Sequence, residues 1–100
     1  AFFLEIDRAT LENKRWREKV QAYQAYTESG KYTERYGTTS LRILTVTTGQ
    51  KRLSNLKRTT EAAGGGGMFW FTTLEQAQAE QILTVPVWQV AGQKGLQTLK

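Results

Sequence analysis

The chain has no cysteine and no histidine, and its one proline is Pro86. Without cysteine it can form neither disulfides nor thiolate metal sites. Without histidine, imidazole general bases, Ser-His-Asp triads and most transition-metal centres are excluded. Long apolar runs are missing too. None approaches the roughly 20 residues of a membrane-spanning helix, and nothing resembles a signal peptide. The expectation is a cytoplasmic chain with no membrane partner. Any hydrolysis would rest on carboxylates, lysine, hydroxyls and a hard cation such as Mg²⁺ or Mn²⁺.

What is present suits one globular domain: 100 residues, 39% hydrophobic and 23% charged. Fourteen basic residues against nine acidic ones give +5, which makes a polyanion such as DNA a natural partner. The excess is concentrated in Arg42, Lys51, Arg52, Lys57 and Arg58, opposed in that stretch only by Glu61. The chain opens without methionine on Ala1-Phe2-Phe3-Leu4-Glu5-Ile6-Asp7. So abrupt an apolar start is expected of the C-terminal part of a longer protein.

Periodicity predicts strands over 2–7, 41–47, 68–73 and 86–90, and helices over 10–26, 50–63 and 74–83. The order β-α-β-α-β-α-β points to an α/β domain over residues 1–91, a mixed sheet of about four strands flanked by helices. Residues 92–100 read as a tail and residues 29–37 as a loop with a helical turn. Gly64-Gly65-Gly66-Gly67 joins a helix end to a strand and has no following lysine. It reads as a flexible linker and not as a phosphate-binding loop.

Strand alternation puts Phe2, Leu4 and Ile6 on one face, the expected core face, and Phe3, Glu5 and Asp7 on the other. Two carboxylates about 7 Å apart at their Cα atoms can converge on one hard cation. They can equally be a solvated strand end with Arg8 as a salt-bridge partner. Lys19 lies three residues after Trp16 and four before Tyr23, beside the inward face of the first helix. From there its ammonium could approach the carboxylates, or its stem could pack while the head snorkels to solvent. Tyr32 and Tyr36, interleaved with Lys31 and Arg35, could stack on bases or anchor the loop. The cations after Leu41 could track phosphates or form a solvated helix face.

The run from Phe3 to Arg8, the stretch from Lys14 to Tyr23, the 32–36 loop, the strands 41–47 and 69–73, and Val87-Trp88 resemble the C-terminal region of the replication-relaxation family. That family belongs to plasmids and other mobile elements, and its members carry a winged-helix-like DNA-binding domain ahead of this region. The region itself is similar to the PD-(D/E)xK nuclease core, so the resemblance implies a truncated restriction-endonuclease-like domain acting on DNA. It implies Glu5 and Asp7 as metal ligands for Mg²⁺ or Mn²⁺, Lys19 as charge stabiliser and Tyr23 as its orienting partner. Arg8, Lys14, Arg15, Lys31, Arg35, Arg42, Lys51, Arg52, Lys57 and Arg58 are the expected nucleic-acid contacts. Two departures stand out. Asp7 occupies the place of the motif lysine, and the preceding Asp-bearing strand is absent, so this chain alone is expected to be inactive. The open sheet edge left behind invites a homodimer.

Three readings follow. A metal-dependent nuclease needs Glu5, Asp7 and Lys19 within about 6 Å of a common point. A non-catalytic interaction or dimerisation module beside a separate DNA-binding domain predicts them paired off, with an exposed apolar patch elsewhere. A DNA clamp predicts a continuous basic face from Arg42 to Arg58.

Overall fold

The computed structural model describes residues 2–36, 41–77 and 87–98. Five strands form one mixed sheet: β1 (Phe2–Ile6), β2 (Arg42–Thr47), β3 (Phe69–Thr73), β4 (Trp88–Val90) and β5 (Leu96–Gln97), neighbouring one another in that order. β1, β2 and β3 pair in parallel, and β4 pairs antiparallel with both β3 and β5. Helix α1 (Asn13–Glu28) connects β1 to β2, and α3 (Gln50–Ala62) connects β2 to β3. Both steps run the same way along the sheet. Crossovers of one hand therefore put both helices on one face.

Between that face and the helices lies the main core: Trp16 and Val20 of α1, Leu53 and Leu56 of α3, and Ile43, Phe69 and Phe71 of the sheet. The Trp16 indole N–H donates to Thr60 Oγ1 at 2.8 Å, and the Thr60 hydroxyl donates to the Leu56 carbonyl, so the buried polar atoms are satisfied where the two helices meet. The other face carries a smaller cluster of Leu44, Val46, Val87 and Trp88, with Trp70 and Ala77 packed against it. Ala77 ends the short helix α4 (Leu74–Ala77).

The fold departs from the sequence expectations in four places. Within the stretch expected to be a loop with a helical turn, Lys31–Tyr36 forms a six-residue helix, α2, and the expected tail supplies β5, which pairs with β4. The expected helix to residue 83 and strand from 86 are described only at Leu74–Ala77 and from Val87 onward. The faces of β1 are also reversed. Phe2, Leu4 and Ile6 are 56%, 64% and 51% exposed, whereas Phe3, Glu5 and Asp7 turn toward the helices. Alternation defines two faces without saying which is covered, and here α1 covers the one with the carboxylates.

The fourth departure is the glycine run, which is a structured helix end. Gly64 sits at φ 87°, its N–H donates to the Glu61 carbonyl, and the Gly65 N–H donates to the Thr60 carbonyl at 2.8 Å. This is the paired bonding of a Schellman C-cap, which needs a left-handed residue. Gly65 is required for a different reason: a Cβ there would lie 2.5 Å from Thr60 Cγ2 and 3.2 Å from the Phe69 ring. Gly66 has open space around it. Gly64→Ala is thus expected to cost about 1–2 kcal/mol, Gly65→Ala at least as much, and Gly66→Ala little. Thermal unfolding of the three variants checks this ranking.

Candidate functional site

The candidate site lies between the helix-covered side of β1, which supplies Phe3 and Glu5, and α1, which supplies Lys19, Ala22, Tyr23 and Tyr26. Glu5 lies in register with Thr45 of β2. One turn of α1 separates Lys19 from Tyr23, so both reach the same carboxylate. The Lys19 ammonium donates to Glu5 Oε2 at 2.9 Å and the Tyr23 hydroxyl to Oε1 at 2.5 Å. Burial, and then the hydrogen bond and charge of Glu5, push the Tyr23 hydroxyl far above its usual range, so it stays a donor at any physiological pH. The trio lines an open hollow of about 360 Å³ whose other walls are Phe3, Ala22 and Tyr26. Phe3 packs on Tyr23 at 6.0 Å and on Tyr26 at 6.4 Å between ring centroids.

Asp7, two residues on, takes part in a different arrangement. Arg52 of α3 grips its carboxylate with two nitrogens, Nε to Oδ2 at 2.9 Å and Nη2 to Oδ1 at 3.0 Å. Thr47 of β2 donates to Oδ2 at 2.5 Å. The same Nη2 also donates to the Leu11 carbonyl at 2.6 Å, which ties in the segment leading to α1. Ala9 adopts a left-handed φ of 61°, and its N–H also bonds the Asp7 carboxylate. Burial by itself would raise the Asp7 pKa. The hydrogen bonds from Arg52 and Thr47, the Arg52 charge and the Ala9 amide outweigh it, and the group sits below its ordinary 3.8.

The structure thus brings Glu5, Lys19 and Tyr23 together and pairs Asp7 off with Arg52. A divalent cation of the Mg²⁺ type needs several oxygen donors around one point. Among the described residues no group of three acidic side chains supplies them. Glu5 is held by a cation and a hydroxyl, and Asp7 by a guanidinium. In this arrangement the two carboxylates are engaged by separate partners and do not form a shared donor set for such an ion.

The basic residues are spread out. Arg42 lies on the sheet face away from α3, its guanidinium 4.6 Å from the centre of the Trp70 ring and 5.9 Å from that of Phe2. Lys57 bonds Glu61 at 2.9 Å, and Glu61 also accepts the Gly92 N–H. That amide, with Lys57, lowers the Glu61 pKa. Lys51 and Arg52 flank a shallow hollow with Gly49 and Asn55 at the start of α3. Arg8, Lys14, Arg15, Lys31, Arg35 and Arg58 are exposed. No single face runs from Arg42 to Arg58, because the sheet stands between Arg42 and α3. The side chains of Tyr32 and Tyr36 lie outside the described residues.

Sequence reasoning missed Arg52 and Thr47 as partners of Asp7, and Phe3 and Tyr26 as walls of the hollow. The available signal was that Asp7 shares the alternation of Phe3, so an inward Phe3 means a buried carboxylate in need of a cation.

The architecture is that of a small α/β domain with a mixed sheet. Residues 1–41 match the family described as Replication-relaxation. That stretch holds β1, α1 and every wall of the Glu5 hollow. No curated protein and no solved structure matches the chain.

Breaking the buried pair has a defined cost. Asp7→Asn or Arg52→Met is expected to destabilise the fold by about 3–5 kcal/mol, because each leaves a buried partner uncompensated. Lys19→Met, at a half-exposed ammonium, should cost less than about 1 kcal/mol. Folding lowers the Asp7 pKa, so its contribution is full at neutral pH and is lost as pH falls below 3.8 through the lowered value. Denaturant titrations of the variants from pH 7 down to pH 3 check both the ranking and the acid limb. Ala9→Gly should stabilise by roughly 1 kcal/mol by relieving the left-handed alanine.

Proposed function

We propose that this chain is a non-catalytic α/β interaction module of a replication-relaxation type protein, working beside DNA without cutting it. One observation carries the reading: the two carboxylates of β1 are divided between separate internal partners, Glu5 with Lys19 and Tyr23, Asp7 with Arg52 and Thr47. A phosphodiesterase of the carboxylate and Mg²⁺ type needs them converging on one ion. Here the Glu5 trio fastens α1 to β1 and the Asp7 pair fastens α3 to β1. Both act as structural ties.

The link to replication rests on the family match over residues 1–41. Association with DNA is supported by the net charge of +5 and the exposed Arg8, Lys14, Arg15 and Arg58. Charge spread over several surfaces favours weak, sequence-independent contact that weakens steeply with salt. An exposed apolar stripe of Phe2, Leu4 and Ile6 belongs to the same reading, since contact modules keep such surfaces open.

Titration calorimetry with Mg²⁺ and Mn²⁺, followed by incubation with supercoiled plasmid and single-stranded DNA, tests it. The expected result is no saturable metal binding and no nicking. Metal-dependent cleavage that disappears in both Glu5→Gln and Lys19→Ala would overturn the proposal and restore the nuclease reading.

A further inference from the structure

Basic side chains occur on several surfaces of the fold, but most of their uncancelled excess lies on one. Lys19, Arg52 and Lys57 are cancelled by Glu5, Asp7 and Glu61. Beyond those pairs, α1 and α3 expose Lys14, Arg15, Arg17, Lys51 and Arg58, against Glu18 and, at the far end of α1, Glu28. Five cations against two anions leave three of the chain's net five positive charges on this helical layer. The connection into α1 adds none, since Arg8 and Glu12 balance.

The two helices lie side by side and run in the same direction. Three ties join them in the same order along both: Arg52 to the Leu11 carbonyl just before α1, Trp16 to Thr60, and Gln24 to the Gly64 carbonyl just past α3. Trp16, Val20, Leu53 and Leu56 pack into the core beneath, which leaves the cations on the solvent side. Lys51 and Arg58 fall on one line of α3, two turns and about 10 Å apart, and Lys14 and Arg17 fall on one line of α1.

This surface lacks the anchors of a protein interface. Its exposed apolar residues are Ala22, Ala25 and Ala62, and none of the large exposed hydrophobics lies on α1 or α3. Protein partners need buried aromatic or aliphatic anchors, and their interfaces are poor in lysine. A nucleic-acid backbone needs only cations and donors. Trp16 is buried, Tyr23 and Tyr26 line the Glu5 hollow, and α3 has no aromatic residue. Unpaired bases would find no ring to stack on, which favours a duplex over a single strand.

We infer that the outer surface of the α1–α3 layer docks on the phosphate backbone of double-stranded DNA, without reading its bases. This names the DNA-facing side of the module proposed above and rests on that reading. Arg17 joins Lys14, Lys51 and Arg58 as a phosphate contact. With an uncancelled charge of three, the logarithm of the binding constant falls with that of salt concentration at a slope of about −3. The dissociation constant at physiological salt is on the order of 1–100 µM.

Fluorescence anisotropy of a labelled duplex of about 20 base pairs, titrated with the chain at roughly 50 to 200 mM salt, tests this. Three charge reversals are compared: Arg17→Glu and Lys51→Glu on the layer, and Lys94→Glu in the β4–β5 turn outside it. All three sites are exposed and each substitution changes the net charge equally. Glutamate in the first turn of α3 suits the helix dipole, and circular dichroism verifies folding. Arg17→Glu and Lys51→Glu should each weaken duplex binding at least about 10-fold and flatten the salt slope, with Lys94→Glu costing less than about 3-fold. A single strand of the same length should bind more weakly than the duplex. No duplex binding, an equal loss in all three variants, or tighter binding of the single strand overturns the inference. The plasmid assay separates it from the reading it rests on. A duplex that is neither bound nor cut removes this surface and leaves the non-catalytic reading. A duplex bound through Arg17 and Lys51 and then cut removes that reading and leaves the surface.

Discussion

The buried pair between Asp7 and Arg52 sets the constraint that the rest of the structure obeys. A carboxylate at the end of β1, beneath two helices, is untenable without a cation and several donors. Arg52 supplies two nitrogens to the carboxylate and a third bond to the Leu11 carbonyl, Thr47 supplies a hydroxyl, and Ala9 takes a left-handed conformation that presents its amide. One side chain thereby fixes β1, β2, the approach to α1 and the first turn of α3. The planar guanidinium matters, because the pair is bidentate and a point charge would not span both oxygens. With Asp7 committed in this way, Glu5 stands as the lone carboxylate of its hollow.

Much of the architecture is legible along the chain. The alternation of strands and helices, the helix beginning at Gln50 and the centrality of Phe69-Trp70-Phe71 all follow from local pattern. So does the proximity of Lys19 and Tyr23 to each other, one helical turn apart. The long-range facts are harder to read. Which face of β1 is inward depends on the position of α1, and the six residues from Phe2 to Asp7 alternate cleanly enough to be read either way. That Arg52 neutralises Asp7 involves residues 45 apart in sequence. The glycine run shows another limit: composition suggests flexibility, but Gly64 is needed for its φ and Gly65 for its lack of a Cβ. The strand at Leu96–Gln97 is too short for any period to register.

The matched stretch and the geometry fit together informatively. The replication-relaxation match spans residues 1–41 and encloses the entire Glu5 hollow, whereas the partners that remove Asp7 from it, Thr47 and Arg52, lie beyond that stretch. Residues 1–41 alone would suggest two carboxylates and a lysine poised for chemistry. The part of the chain that follows turns one carboxylate into a tie, and the function proposed here depends on that conversion.

The most direct measurement is the ionisation of Asp7 itself, followed by carbonyl carbon resonances through an acid titration with and without millimolar Mg²⁺. The account predicts a pKa below the ordinary 3.8 that Mg²⁺ leaves unchanged, because Arg52, Thr47 and Ala9 already occupy the carboxylate. An Asp7 pKa at or above 3.8, or one that moves with Mg²⁺, would contradict it and return Asp7 to the role of a metal ligand.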